Sequence, residues 1–147
     1  MKKAAKFALY LLLLVFASCR FSTTFQDEPN ERNQAEKVVD SMYHYVNLGD
    51  FEKSGLFFSK MFYSVTNESE LYGIFSKTKE VLGVYQDKTL ISWKTRRVEG
   101  AGPSSEYLLV YNVRYSKYNA DETFRLKKEG GAIKIVSYNV NSTGFLK

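Results

Sequence analysis

The sequence predicts an α+β domain, helices first and an antiparallel sheet after them. Three observations carry this. Apolar residues recur at helical spacing up to about residue 82 and at alternating positions beyond it. Turn-forming segments separate the alternating runs, at Gly100-Ala101-Gly102-Pro103, Tyr118-Asn119-Ala120-Asp121 and Glu129-Gly130-Gly131. The 147 residues are 44% hydrophobic and 25% charged, which suits one globular domain and excludes a wholly disordered chain.

The chain opens on an address. Lys2, Lys3 and Lys6 precede an uncharged, mostly apolar run from Phe7 to Ala17. That run is shorter than the roughly 20 residues a helix needs to cross about 30 Å of hydrocarbon. A basic start, an apolar run and small residues together describe a signal peptide. Phe16-Ala17-Ser18-Cys19 resembles a bacterial lipobox, with Phe16 where Leu, Val or Ile is commoner. The resemblance implies a diacylglyceryl group on the Cys19 thiol, cleavage between Ser18 and Cys19, and acylation of the new amino group. A lipid also accounts for the position of the single Cys, because an exposed lone thiol in an oxidising compartment is a liability. Cleavage after Ala17, as in ordinary secretion, and an uncleaved anchor are the alternatives.

Residues 1–18 are therefore read as a lipoprotein signal peptide, 19–34 as the lipidated Cys and a flexible polar tether, and 35–147 as the domain. Two or three acyl chains would hold such a protein on a bilayer outside the cytoplasm. Arg20 follows the Cys where an inner-membrane retention signal would place Asp, which favours the outer membrane and leaves the leaflet open. Loss of residues 1–18 lowers the net charge from +5 to +2, and a nucleic-acid partner loses its support with it.

Pro29 suits the first turn of a helix. Ala35, Val38, Val39, Met42 and Val46 then form one apolar stripe, and Gly49 is placed to end the helix. Asp50 is a good N-cap for a short second helix from Phe51 to Phe58, and Phe57, Phe58, Met61 and Phe62 are expected to plug one end of the core. A third helix starts near Asn67, buries Leu71, Ile74, Phe75 and Leu82, and stops at Gly83. Four strands are expected: Thr89–Val98 with Ile91 and Trp93 on one buried face, Glu106–Lys117, Thr123–Lys128, and Ala132–Asn141.

Gly49-Asp50-Phe51 after the first helix, Leu82-Gly83 before the sheet and Tyr138 in the last strand complete the pattern over 35–142. In order and length it resembles the nuclear transport factor 2-like, or cystatin-like, α+β roll, and small bacterial secreted domains of unknown function built on that roll. The resemblance implies N-terminal helices packed on a curved four-stranded antiparallel sheet, with a pocket between the two layers.

Candidate chemistry is sparse. One Cys and one His exclude a Cys-rich zinc site and a metal site needing two imidazoles, and with no second His, no free Cys and no Asp in a nucleophile turn, Ser/His/Asp and Cys/His machinery lacks parts. No Gly-rich phosphate loop opens a helix. His44 lies off the apolar stripe and is expected to be exposed. Tyr107, Tyr111, Tyr115 and Tyr138 recur on strands and are read as packing residues with one wet end. Asp40 and Glu106 are read as solvated. Lys94, Arg96, Arg114, Arg125 and Lys127 can share one sheet face by alternation, either as a solvated surface or as an anion-binding face.

The expected function is that of a lipid-anchored envelope protein acting as a binding or interaction module, with no catalytic residue, cofactor or metal. Its partners would be the membrane, through Cys19, and an envelope protein or acidic ligand. One alternative is a pocket enzyme of the ketosteroid isomerase-like type, which would need a buried Asp or Glu facing two or more hydroxyls in a cavity. The other is a structural accessory subunit of an envelope complex.

Overall fold

The computed structural model describes residues 22–147. The stretch read as a signal peptide, with Ser18 and Cys19, lies outside the described residues. The elements run β1 (Ser22–Gln26), α1 (Pro29–Leu48), α2 (Phe51–Gly55), α3 (Lys60–Tyr63), α4 (Glu68–Leu82), β2 (Tyr85–Gly100), β3 (Ser104–Tyr115), β4 (Ala120–Glu129) and β5 (Ala132–Asn141), with a closing 3-10 turn at Thr143–Leu146. The strands form one antiparallel sheet in sequential order, and its inner face packs against the helices in an α+β fold.

The sheet has five strands, which corrects the expected four. The added strand, β1, falls in the stretch read as a tether. It pairs antiparallel with β2 from Ser22↔Gly100 to Gln26↔Arg96, and only Phe25 is partly covered. Backbone pairing holds it in place with little apolar burial. Asp27, at φ 51°, turns the chain from β1 toward α1. Its N–H donates to the Thr95 carbonyl at 3.0 Å, and its Oδ1 accepts the Thr95 N–H at 3.0 Å.

Helix α1 begins at Pro29 and ends at Gly49, which adopts φ 75° and donates its N–H back to the last turn. That left-handed cap is the conformation glycine reaches without a Cβ penalty. Asp50 caps α2 by accepting the Lys53 N–H, and Asn67 with Glu70 forms a capping box at α4. The second helix is shorter than expected. It stops at Gly55 because Phe58 bridges to Ile135 of β5, with the Ser59 N–H donating to the Ile135 carbonyl at 2.9 Å. The chain then restarts as α3, capped by Ser59. Phe58 and Phe62 are buried, whereas Met61 is exposed and takes no part in the plug.

Alternation sets the sheet faces. On β3, Tyr107, Leu109, Tyr111, Val113 and Tyr115 point to the helices, and on β4 so do Ala120, Glu122, Phe124 and Leu126. Strand β2 departs from the expected phase. A register shift between Leu90 and Ser92 inserts Ile91 as an extra residue. Leu90 and Trp93 therefore pair with inward-facing Tyr111 and Leu109, while Ile91 turns outward and is 55% exposed. Ile91 and Trp93 do not share a face, because one bulged residue inverts the pleat.

Candidate functional site: a carboxylate held by three tyrosines

Strand β4 alternates inward as Ala120, Glu122, Phe124 and Leu126, so a carboxylate takes a core position. Glu122 is fully buried. Three phenols from three other elements converge on it. Tyr43 of α1 donates to Oε2 at 2.5 Å, Tyr138 of β5 donates to the same oxygen at 2.7 Å, and Tyr115 at the end of β3 donates to Oε1 at 2.5 Å. Tyr43 reaches inward because it adjoins Met42 on the buried side of α1. Tyr138 is held by stacking on Phe124, with ring centroids 4.8 Å apart.

Among the described residues, no Lys, Arg or His forms an ion pair with Glu122. Burial pushes its carboxyl above the ordinary range, and the three phenol hydrogen bonds pull the other way without cancelling that effect. Tyr43, Tyr115 and Tyr138 are all raised, first by burial and then by the neighbouring Glu122 charge. On the Tyr43 side, Lys88 Nζ lies 5.9 Å from the Tyr43 ring centroid and is ion-paired with Asp40 at 2.5 Å.

Against this cluster lies a cavity of about 230 Å³, walled by Tyr43, Tyr85, Tyr115, Tyr138, Phe51 and Phe75. Lys79 and Val84 also line it, and both are exposed to solvent. The cavity is larger than the roughly 150 Å³ that admits benzene. A carboxylate offers about four lone-pair sites, of which three are taken here. With their hydrogens committed to Glu122, the three phenol oxygens can only accept a further hydrogen bond.

A second carboxylate, Glu31 of α1, is 8% exposed and accepts the Tyr107 hydroxyl at 2.8 Å, with Arg97 3.4 Å from its other oxygen. Burial raises the Tyr107 hydroxyl to about 12, helped by its bond to Glu31. Tyr111 is also buried, and its hydroxyl has no partner among the described residues.

The residues singled out in the sequence fall elsewhere. Lys94, Arg96, Arg125 and Lys127 line a groove of about 640 Å³ on the outer face of the sheet, with Glu106 among them. Glu106 pairs with Lys127 at 3.0 Å. Arg114 lies at the far end of β3, ion-paired with Asp87, and does not line the groove. Asp40 and His44 are exposed. Of the tyrosines expected on strands, Tyr115 and Tyr138 meet at Glu122, whereas Tyr107 and Tyr111 do not. Sequence reasoning misses Glu122 because the expected third strand, Thr123–Lys128, begins one residue after it. Starting it at Ala120 places Glu122 in phase with Ala120, Phe124 and Leu126, and that phase is the signal that could have found it.

Among the described residues, no helix is long and apolar enough to cross a membrane. Compared with known proteins, the chain matches no family model, no curated protein and no solved structure.

Proposed function

We propose that this chain is a lipid-anchored envelope protein whose α+β domain is a binding module for a small ligand, without catalytic activity. The observation that carries the binding role is the cavity of about 230 Å³, whose aromatic walls enclose a volume fit for a one-ring molecule. The anchor is supported by the basic start, the apolar run and the position of Cys19. A nuclear transport factor 2-like roll is supported by the order of elements, helices and then an antiparallel meander with a pocket between the layers. The outer membrane is supported by Arg20 alone.

Each half has its test. Palmitate-analogue labelling should mark the full chain in cells and leave Cys19→Ala unlabelled, and label persisting on that variant would overturn the anchor. A fragment screen read by methyl NMR should give ligands that shift Met42 and Val46, both of which line the cavity. A screen in which nothing moves those methyls would overturn the binding role.

A pocket enzyme is the second reading, and Glu122 favours it by supplying a buried carboxylate that faces three hydroxyls. Binding fits better because those three hydroxyls donate to Glu122 and have no hydrogen left to stabilise an oxyanion. An enzyme would exchange solvent deuterium into the α-carbon of a small ketone and lose that exchange in Glu122→Gln.

A further inference from the structure

We infer that the cavity takes a small organic ammonium ion, held between the tyrosine walls in front of the Glu122 carboxylate. The inference rests on the binding-module reading above and adds the chemistry of the ligand. The first support is the wall. Four tyrosines and two phenylalanines line the cavity, and aromatic faces carry the negative end of the ring quadrupole. Trimethylammonium and protonated amines are the groups that such walls attract most strongly.

The second support is the charge behind the wall. Tyr43, Tyr115 and Tyr138 stand between the cavity and Glu122, bonded to it at 2.5–2.7 Å. Once Glu122 is ionised, these short bonds polarise the phenols and spread its charge toward their rings. No cation among the described residues neutralises Glu122 directly, and the nearby Lys88–Asp40 pair is neutral within itself. A buried carboxylate in that state is stabilised by a cation brought from outside.

The third support is donor accounting. Every hydroxyl hydrogen of the three phenols points at Glu122, so these groups present only lone pairs to a further partner. An anionic ligand would find no donor among these three phenols and a field of its own sign. A neutral apolar ligand would fill the volume and leave the charge as it was. Lys79 is the one cationic side chain lining the cavity among the described residues, and it is exposed. The volume suits a trimethylammonium group on a short chain better than a polyamine.

The test compares choline with 3,3-dimethylbutan-1-ol, which has the same shape with carbon in place of the charged nitrogen. The full chain in detergent is titrated while the Met42 and Val46 methyls are followed. Choline should bind about tenfold tighter than its carbon isostere, in line with a desolvated cation–π contact. Glu122→Gln should weaken choline about tenfold and leave the isostere unchanged. Equal affinity for the two probes, or a Gln variant that holds choline as tightly as the parent, overturns the ammonium assignment while the pocket reading stands. Failure of both probes to move the methyls also overturns it, and the fragment screen then decides the pocket reading by itself. Should Glu122→Gln fail to fold, the comparison of the two probes on the unaltered chain decides.

Discussion

Tyr138 reaches diagonally across the β4–β5 ladder to Glu122. Its direct register partner is Phe124, yet its hydroxyl donates to Glu122 Oε2 at 2.7 Å. Diagonal neighbours on one sheet face lie within reach of a long aromatic side chain. The same ring thus stacks on Phe124, walls the cavity and fixes the carboxylate.

Glu122→Ala should cost about 3 kcal/mol or more, because it strands three buried phenol donors and opens a void. Glu122→Gln keeps the shape and one carbonyl acceptor, and should cost clearly less. Urea unfolding of the two variants checks the order. Equal losses would mean that the retained volume and carbonyl acceptor contribute nothing, and that the second carboxylate oxygen decides.

Stability should fall with rising pH on account of Glu122. Burial raises its folded pKa above the ordinary 4.5, so the folded state holds the proton more tightly than the unfolded one. Its contribution is complete below about 4.5 and is lost as pH climbs through the folded value. Glu122→Gln removes that dependence, so the parent should lose ground against the variant as pH rises across this window. A stability difference independent of pH would refute the shift.

The tyrosines extend the same sign to alkaline pH. Burial raises Tyr63 and Tyr107 to about 12, and Tyr43, Tyr115 and Tyr138 are raised as well. Their contribution is complete below the ordinary value of 10 and disappears as pH rises through the folded values. Absorbance near 295 nm should show these phenols ionising only as the chain unfolds.

Trp93→Ala should cost about 2 kcal/mol, below the roughly 3–5 kcal/mol of a fully buried aromatic. Trp93 is half-buried, with the Arg32 guanidinium 5.2 Å from its ring centroid. Arg32→Ala should incur a fraction of that loss, through the cation–π contact and the partly exposed ion pair with Glu36 at 2.9 Å. Thermal melts of both variants measure this.

Gly83→Ala should cost at least about 2 kcal/mol. Gly83 sits at φ 94°, and a Cβ there would collide with Ser116 Oγ and approach the Lys117 backbone nitrogen at 3.1 Å. Gly49→Ala, at φ 75° in open space, should cost only the backbone strain of about 1 kcal/mol.

Local signals were readable in the sequence. Pro29, Gly49, Asp50, Asn67 and Gly83 mark helix ends through their own backbone or side-chain chemistry, and the turns at Gly102 and Gly130-Gly131 separate the strands. Features set by distant partners were not. Strand β1 carries almost no apolar side chain, so only its pairing with β2 reveals it. The extra residue at Ile91 depends on how β2 meets β3. The Glu122 cluster needs α1, β3, β4 and β5 to meet in space, and only the alternation of β4 hinted at its carboxylate. Alternation groups the basic residues at 94, 96, 114, 125 and 127, but the groove holds all of them except Arg114, because position along a strand matters as much as its face.

The five-residue β1 also decides what the sheet can recruit. It screens the end of β2 from Arg96 to Gly100 and closes with a residue at positive φ, while Phe58 occupies part of the opposite border at Ile135. The rest of the β2 margin, from Tyr85 to Lys94, is broken by register irregularities at Tyr85/Asp87 and Leu90/Ser92 rather than covered by a strand among the described residues. Stripping β1 away would bare the stretch from Arg96 to Gly100 as well and lengthen the margin on which a copy of the chain could pair strand to strand.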